Sequence, residues 1–97
     1  MTITDFILEL QRVAPKGWTL TRDGKVRRPS LIVPTASCCP ITAVYEAEEN
    51  KHIPLSGLAK AAATLGLSAL QAAQIGEAAD GEPGTMRDAL LAAVGLS

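Results

Sequence analysis

Residues 18–28, WTLTRDGKVRR, decide the fold of this chain. Two runs in which apolar and polar residues alternate flank an Asp-Gly pair, and this arrangement is the strongest short-range signal for a β-hairpin. A two-residue loop would pair Thr21 with Val26 and mix the two faces. A three-residue loop with Gly24 in the left-handed conformation pairs Leu20 with Val26 and keeps the apolar residues together. We therefore predict the second register.

The predicted register assigns a role to each face of the hairpin. Leu20 and Val26 would face the core, and the guanidinium group of Arg28 would lie over the indole of Trp18. The opposite face would be solvated, and it would carry two hydroxyls and two cations, from Thr19, Thr21, Lys25 and Arg27.

The segment after the hairpin is less regular. Residues 30–33 form a continuous apolar run between Pro29 and Pro34, which predicts a buried third strand. Residues 35–40 predict a turn, and Pro40 suits the first position of a helix. The pattern of 40–50 leaves helix and strand open, and a helix here would fray from Glu46 onward.

The remaining segments predict helices. Thr2 or Thr4 caps an amino-terminal helix, which Pro15 and Gly17 end. Three further helices are predicted over 57–65, 69–79 and 86–94, capped by Ser56, by Ser68 with Gln71, and by Thr85. The chain is therefore predicted to form one α+β domain over residues 1–97, with an amino-terminal helix, a small antiparallel sheet with its hairpin near 18–33, and a carboxy-terminal layer of three to four helices.

Composition excludes several classes of protein. The 97 residues are 47% hydrophobic and carry a net charge of −1, which excludes a disordered tail and a wholly basic nucleic-acid coat. The amino terminus lacks a signal-peptide pattern, and no apolar run is long enough to span a membrane. The adjacent Cys38 and Cys39 give no disulfide framework. We expect a cytoplasmic protein that does not contact a membrane.

No catalytic or metal-binding arrangement stands out. His52 is the only histidine, and Cys38 or Cys39 could serve as a nucleophile beside it, but no third orienting group is evident. Adjacent cysteines with one histidine do not form a zinc pattern. We expect no catalytic residues, no metal and no cofactor, with one cysteine buried, the other at the turn surface and His52 exposed. A cysteine-dependent enzyme remains an alternative.

Residues 58–79 resemble a helix-turn-helix, with a glycine turn at Gly66 and a capped second helix. That second helix would present Gln71, Gln74 and Glu77 and no Lys or Arg. Affinity for DNA comes largely from neutralising phosphates, although glutamine can bind adenine. A small DNA-binding regulator is therefore disfavoured and stays open as a second alternative.

Charge is unevenly distributed along the chain. Residues 1–33 hold six bases and three acids, a net of +3, whereas residues 34–97 hold three bases and seven acids, a net of −4. Such asymmetry indicates polar partner surfaces. The candidate partner-binding residues are the hairpin cations Arg22, Lys25, Arg27 and Arg28, with Glu46, Glu48 and Glu49 as secondary candidates.

Four motifs resemble those of small proteins carried by bacteriophages and mobile elements. They are Cys39-Pro40-Ile41-Thr42-Ala43-Val44, Ala62-x-x-Leu65-Gly66-Leu67-Ser68, Ile75-x-x-Ala78-Ala79-Asp80 and Arg87-x-x-Leu90-Leu91. Small phage proteins without catalytic apparatus are similar to anti-CRISPR inhibitors, which bind an effector complex and block its access to nucleic acid. The resemblance implies a non-enzymatic inhibitor whose partner is a protein or nucleoprotein complex. The net charge departs from that of acidic DNA mimics, and the resemblance assigns no binding residue in this sequence.

Overall fold

The computed structural model describes residues 1–53 and 55–96. The fold is α+β, as predicted, with helices and a small antiparallel sheet in one chain. In chain order the elements are α1 (Ile3–Val13), β1 (Thr19–Leu20), β2 (Val26–Pro29), β3 (Ser37–Cys38), α2 (Pro40–Glu49), a 3₁₀ turn (Leu55–Gly57), α3 (Leu58–Thr64), α4 (Ala69–Ala79) and α5 (Thr85–Ala93). None of the helices in the described part of the chain is both long and apolar enough to cross a membrane.

The hairpin has the predicted register. Leu20 is paired with Val26, and Gly24 has a φ of +80°. The Arg28 guanidinium carbon lies 5.8 Å from the centroid of the Trp18 ring, as expected. Val26 is fully buried, but Leu20 is 46% exposed, so the prediction that both face the core is wrong for Leu20. The reason is position: β1 is a two-residue strand at the edge of the sheet, whereas β2 is central.

The third strand is not at residues 30–33, and this prediction is wrong. Residues 37 and 38, predicted as part of a turn, form β3 and pair antiparallel with β2 through Arg28 opposite Cys38. Residues 30–36 form a loop, in which Leu31, Ile32 and Val33 are 41%, 39% and 36% exposed. The sheet therefore extends to Cys38 rather than ending at residue 33.

Residues 40–49 form a helix, which settles the alternative between helix and strand. Pro40 occupies the first turn of α2, as predicted. The helix does not fray from Glu46, because it continues to Glu49 and ends at Asn50, whose φ is 54°. The left-handed residue donates its N–H to the carbonyl of Glu46 and so closes the last turn.

The predicted helix caps are partly confirmed. Thr2 caps α1 and Ser68 caps α4, each in a capping box with the residue three positions later. Two predicted caps are wrong: α3 begins after Gly57 rather than Ser56, and α5 begins after Gly84, with Thr85 inside the helix. In both cases a glycine precedes the helix and no side chain caps it.

The core draws on every helix and on the sheet. Its largest fully buried apolar side chains include Phe6, Leu10, Val26, Ile41, Ile75 and Leu90. Small alanines fill the remainder, because the chain has only three aromatic residues. Cys38 and Cys39 both belong to this core, at 2% and 7% exposed, so the expectation of one surface cysteine is wrong. Cys38 is the last residue of β3, and Cys39 is the N-cap residue of α2.

Candidate interaction surface

The four candidate cations of the hairpin have different environments. Arg28 is engaged within the protein: its Nη1 donates to the carbonyl of Lys16 at 2.8 Å, and its Nε donates to the carbonyl of Pro29 at 3.0 Å. Its guanidinium plane also covers Trp18. Arg28 therefore stabilises the hairpin base, and its hydrogen-bonding groups are largely used there.

Lys25 and Arg27 hold longer, weaker contacts, and both side chains are partly exposed. Lys25 Nζ is 4.0 Å from Asp23 Oδ2, and Arg27 Nη2 is 3.5 Å from Asp80 Oδ1. The Lys25 side chain is 41% exposed and that of Arg27 is 23% exposed. Exposed ion pairs of this kind add little stability, so an external anion can replace the carboxylates at low cost. We call Lys25 and Arg27, with Thr19 and Thr21 beside them, the cationic hairpin face.

The turn that carries Arg22 is built by local hydrogen bonds. The Thr21 hydroxyl donates to Asp23 and accepts from the backbone N–H of Lys25 at 3.0 Å. The bond from Thr21 holds the pKa of Asp23 below its usual range. Arg22 itself is exposed at the tip. This network fixes the direction in which the cationic hairpin face points.

Arg87, which the sequence analysis did not include among the candidate site residues, fixes the hairpin against the helices. Its Nη2 donates to the carbonyl of Gly24 at 3.0 Å, and its Nη1 donates to the carbonyl of Ala78 at 2.8 Å. One guanidinium group on α5 thereby joins the hairpin turn to the end of α4. The 63-residue separation from Gly24 explains why no local pattern indicated this contact. The cationic hairpin face is therefore held rigidly on the protein.

Arg27 lies between two depressions in the surface. One is a groove of about 320 Å³ on the outer side of the sheet, bordered by Thr19, Thr21 and Pro34. The other is a smaller cavity of about 190 Å³ between the hairpin, α2 and α4, where Lys25 also stands. A partner that reaches the cationic hairpin face thus meets concave surface on either side.

Glu46, a secondary candidate for partner binding, is wrongly predicted as a surface residue. It is 1% exposed, and its carboxylate accepts hydrogen bonds from the Ser30 hydroxyl, from the Leu31 N–H at 3.2 Å and from His52 Nδ1 at 2.8 Å. A buried carboxylate is tolerated only when such partners satisfy it. Glu46 therefore holds the loop at 30–36 onto α2 and is unavailable to a partner.

Glu48 and Glu49 are exposed, as a partner-binding role requires. Glu48 faces Glu9 of α1, which in turn accepts from Arg12. The hydrogen bond with Arg12 lowers the pKa of Glu9, whereas the hydrogen bond shared with Glu9 raises the pKa of Glu48. The charge of Arg12 acts on both carboxyls, so this acidic surface is weaker than its residue count indicates.

The candidate catalytic groups are engaged in structural contacts. His52 is half-buried rather than exposed, and it meets Glu46 instead of a thiol. Burial, reinforced by the nearby Glu46 charge, raises the pKa of Cys38 to about 12, so this thiol is not a nucleophile near neutral pH. The Cys39 Sγ lies 3.4 Å from Thr42 Oγ1. Within residues 1–53 and 55–96, no group of His, Cys, Asp or Glu has the arrangement of a metal site.

The segment 58–79 forms two helices joined by a tight turn, in which Gly66 has a φ of +80°. The surface of α4 presents Leu70, which is 69% exposed, together with Gln74 and Glu77. The helix carries no Lys or Arg, so it lacks the groups that neutralise phosphates.

No protein-family model matches the chain, and no curated protein or solved structure is significantly similar to it.

Proposed function

We propose that this protein is a non-enzymatic interaction protein that binds an acidic surface of a larger protein or nucleoprotein complex. The observation that carries the proposal is the cationic hairpin face, whose charges are partly exposed and paired only at 3.5–4.0 Å. Arg28 and Arg87 hold that face rigidly, so binding requires little ordering of the backbone. Opposite charge on the partner would steer association and fix its orientation.

The resemblance to small phage proteins gives this activity a biological setting. We propose an inhibitor of a host defence complex in the cytoplasm, in the manner of an anti-CRISPR that blocks access of nucleic acid to an effector. Bound RNA phosphates or acidic side chains of such a complex would attract Lys25 and Arg27. DNA binding by α3 and α4 is less well supported, because α4 has no cation. A cysteine-dependent enzyme is less well supported because both thiols are buried.

The test is a charge reversal with a matched control. Lys25→Glu with Arg27→Glu is compared with Lys51→Glu with Lys60→Glu, which makes the same change in net charge at exposed positions elsewhere. Each variant is expressed in cells that carry one of a panel of active CRISPR systems, and plasmid transformation efficiency is measured. We expect the wild type and the control to restore transformation against one system, and the hairpin reversal to reduce the effect by at least about tenfold.

Direct binding measurements distinguish this proposal from the alternative functions. Affinity for the inhibited effector complex is measured at low and high salt, and the loss caused by the hairpin reversal should shrink at high salt, since exposed charges are screened beyond about 10 Å at 0.1 M. Equal loss in both double variants would show that net charge, not the hairpin face, governs binding. Salt-dependent binding to duplex DNA alone would favour the regulator. Inhibition of no system in the panel would contradict the anti-CRISPR proposal.

A further inference from the structure

The smaller of the depressions beside Arg27 has an apolar floor and a charged rim. The cavity measures about 190 Å³. Its apolar floor is formed by the partly exposed Leu58 and Gly76, with Ile41, Ile75 and Ala79 of the buried core also in its lining. Lys25 and Arg27 stand at its rim. Pockets that hold whole small molecules are typically about 300–1,000 Å³. This cavity is smaller, and its size suits one apolar side chain.

Gly76 of α4 lines this cavity. It lies inside α4, where glycine lowers helix stability relative to alanine because its backbone loses more conformational freedom. Neither packing nor backbone conformation requires glycine here: an added Cβ would meet no atom within 4 Å, and the φ is not positive. Because Gly76 lines the cavity, a larger side chain at this position would change the cavity's lining.

The charged rim is already occupied by a replaceable carboxylate. Asp80, at the end of α4, lies 3.5 Å from Arg27, and its side chain is 51% exposed. A carboxylate at a helix carboxyl terminus is unfavourably placed with respect to the helix dipole. Asp80 therefore marks where an anion sits beside Arg27, and it competes with any external anion for that position.

We propose that the cavity receives an apolar side chain of the partner protein, flanked by carboxylates that bind Lys25 and Arg27. This inference rests on the proposed function, because it names what the partner places on the cationic hairpin face. The apolar floor accounts for the anchor, and the cations account for the acidic flanks by charge complementarity. The partner's carboxylate takes the position beside Arg27 that Asp80 now holds.

Three capped peptides test the anchor with probes of defined chemistry. The first, Glu-Glu-Leu-Glu-Glu, has both features; the second replaces Leu with Ser; the third replaces every Glu with Gln. Each is titrated into the isotope-labelled protein while amide chemical shifts are followed. We expect the first peptide to shift the amides of Ile41, Ile75 and Gly76, with a dissociation constant below about 5 mM, and both others to bind at least about tenfold more weakly.

Two variants of the chain give opposite expected effects. Gly76→Leu should change the cavity's lining and weaken binding of the first peptide at least about tenfold. Asp80→Asn removes the competing carboxylate and should tighten binding about two- to threefold, which a merely structural role of Asp80 would not do. Ala92→Leu, at an exposed position of α5, is the control for adding a leucine to a helix surface. Thermal unfolding checks that each variant is folded.

The outcomes distinguish this inference from the proposed function. Equal binding of the Leu and Ser peptides would overturn the anchor but leave the cationic hairpin face as the binding site. No shift at the cavity up to about 5 mM of the first peptide would also overturn it. In the transformation assay, full activity of Gly76→Leu together with loss of activity in the hairpin reversal would exclude the cavity while supporting the proposed function.

Discussion

The segments on either side of β2 differ in how they are held. The hairpin turn, residues 21–25, is closed by bonds among its own members, such as those from Gly24 N to the Thr21 carbonyl and from Lys25 N to the Thr21 hydroxyl. The loop at 30–36 is organised instead by Ser30, whose hydroxyl accepts from the N–H groups of Ile32 and Val33 and donates to Glu46 on α2. The turn is closed by its own members and is joined to the helices by Arg87, whereas the shape of the loop depends on a distant carboxylate.

This difference also explains where the apolar residues lie. The turn exposes charged side chains, as solvated turns usually do. The loop exposes Leu31, Ile32 and Val33 although their composition favours burial, because the Ser30 bonds bend the backbone away from a strand. Side-chain hydroxyls can offer the backbone such an alternative to a sheet ladder. The hydrogen bonds of Ser30 and Glu46 thus outweigh the β-propensity of three consecutive residues.

Removing the Glu46 carboxylate should produce the largest effect on stability. Glu46→Ala leaves the Ser30 hydroxyl, the Leu31 N–H and the His52 ring without their acceptor, and it also opens a void beneath the loop. We expect a loss of about 3 kcal/mol in the free energy of unfolding, measured by urea denaturation.

Two variants serve as controls for that measurement. Glu46→Gln keeps the volume and one acceptor, and should lose about 1 kcal/mol. Thr21→Val removes the corresponding hydroxyl of the exposed turn and should lose less than about 1 kcal/mol. If Thr21→Val proved as destabilising as Glu46→Ala, the contrast between a local turn and a carboxylate-held loop would be wrong.

The thiol of Cys38 reports on opening of the loop side of the sheet. Cys38 is 2% exposed at the end of that loop, so alkylation requires local opening. In a Cys39→Ala background, we expect iodoacetamide to modify the native protein at least about a hundredfold more slowly than the urea-unfolded protein, equivalent to about 2.7 kcal/mol. Mass spectrometry of timed samples measures both rates.

The pH dependence of that opening follows from the raised pKa. The folded thiol keeps its proton up to a pKa of about 12, whereas an unfolded thiol ionises near about 8.5. The contribution of Cys38 to the free energy of unfolding is therefore fully present below about pH 8.5 and is lost as the pH rises toward 12. Glu46→Ala should accelerate labelling at constant pH. An unchanged labelling rate in that variant would show that exposure of the Cys38 thiol does not depend on the loop.

Whether a contact joins residues close together or far apart in the sequence also determines which features could be predicted. The register of the hairpin, the position of Gly24 and the contact of Arg28 with Trp18 were predictable because each depends on residues within one short segment. The capping boxes at Thr2 and Ser68 were predictable for the same reason. β3 was missed because residues 37 and 38 have no strand pattern of their own and are defined by pairing with β2.

The residues of the candidate site likewise fall into those that local sequence patterns predicted and those that they did not. Lys25 and Arg27 were predicted to share a solvated face from the period of the strand alone. The burial of Glu46 was not predictable, since its partners Ser30 and His52 lie 16 and 6 residues away and carry no common motif. The clamp by Arg87 and the cavity lined by Gly76 likewise join segments far apart in the chain. Gly76 was the one available signal, as a glycine inside a predicted helix.

A smaller loss of stability than that of Glu46→Ala is expected for a substitution at Gly24 of the turn. Gly24 has a φ of +80°, a region that β-branched residues avoid because the Cβ approaches the carbonyl oxygen. Gly24→Val should therefore lower the free energy of unfolding by about 1–2 kcal/mol in urea denaturation. Gly24→Asn is the matched control, because asparagine tolerates this conformation, and it should lose less than half as much. The loss should arise from backbone strain rather than from packing, since an added Cβ would meet only the flexible end of Arg87, at 3.8 Å. Equal losses in the two variants would mean that crowding against Arg87, and not the conformation of the turn, governs this position.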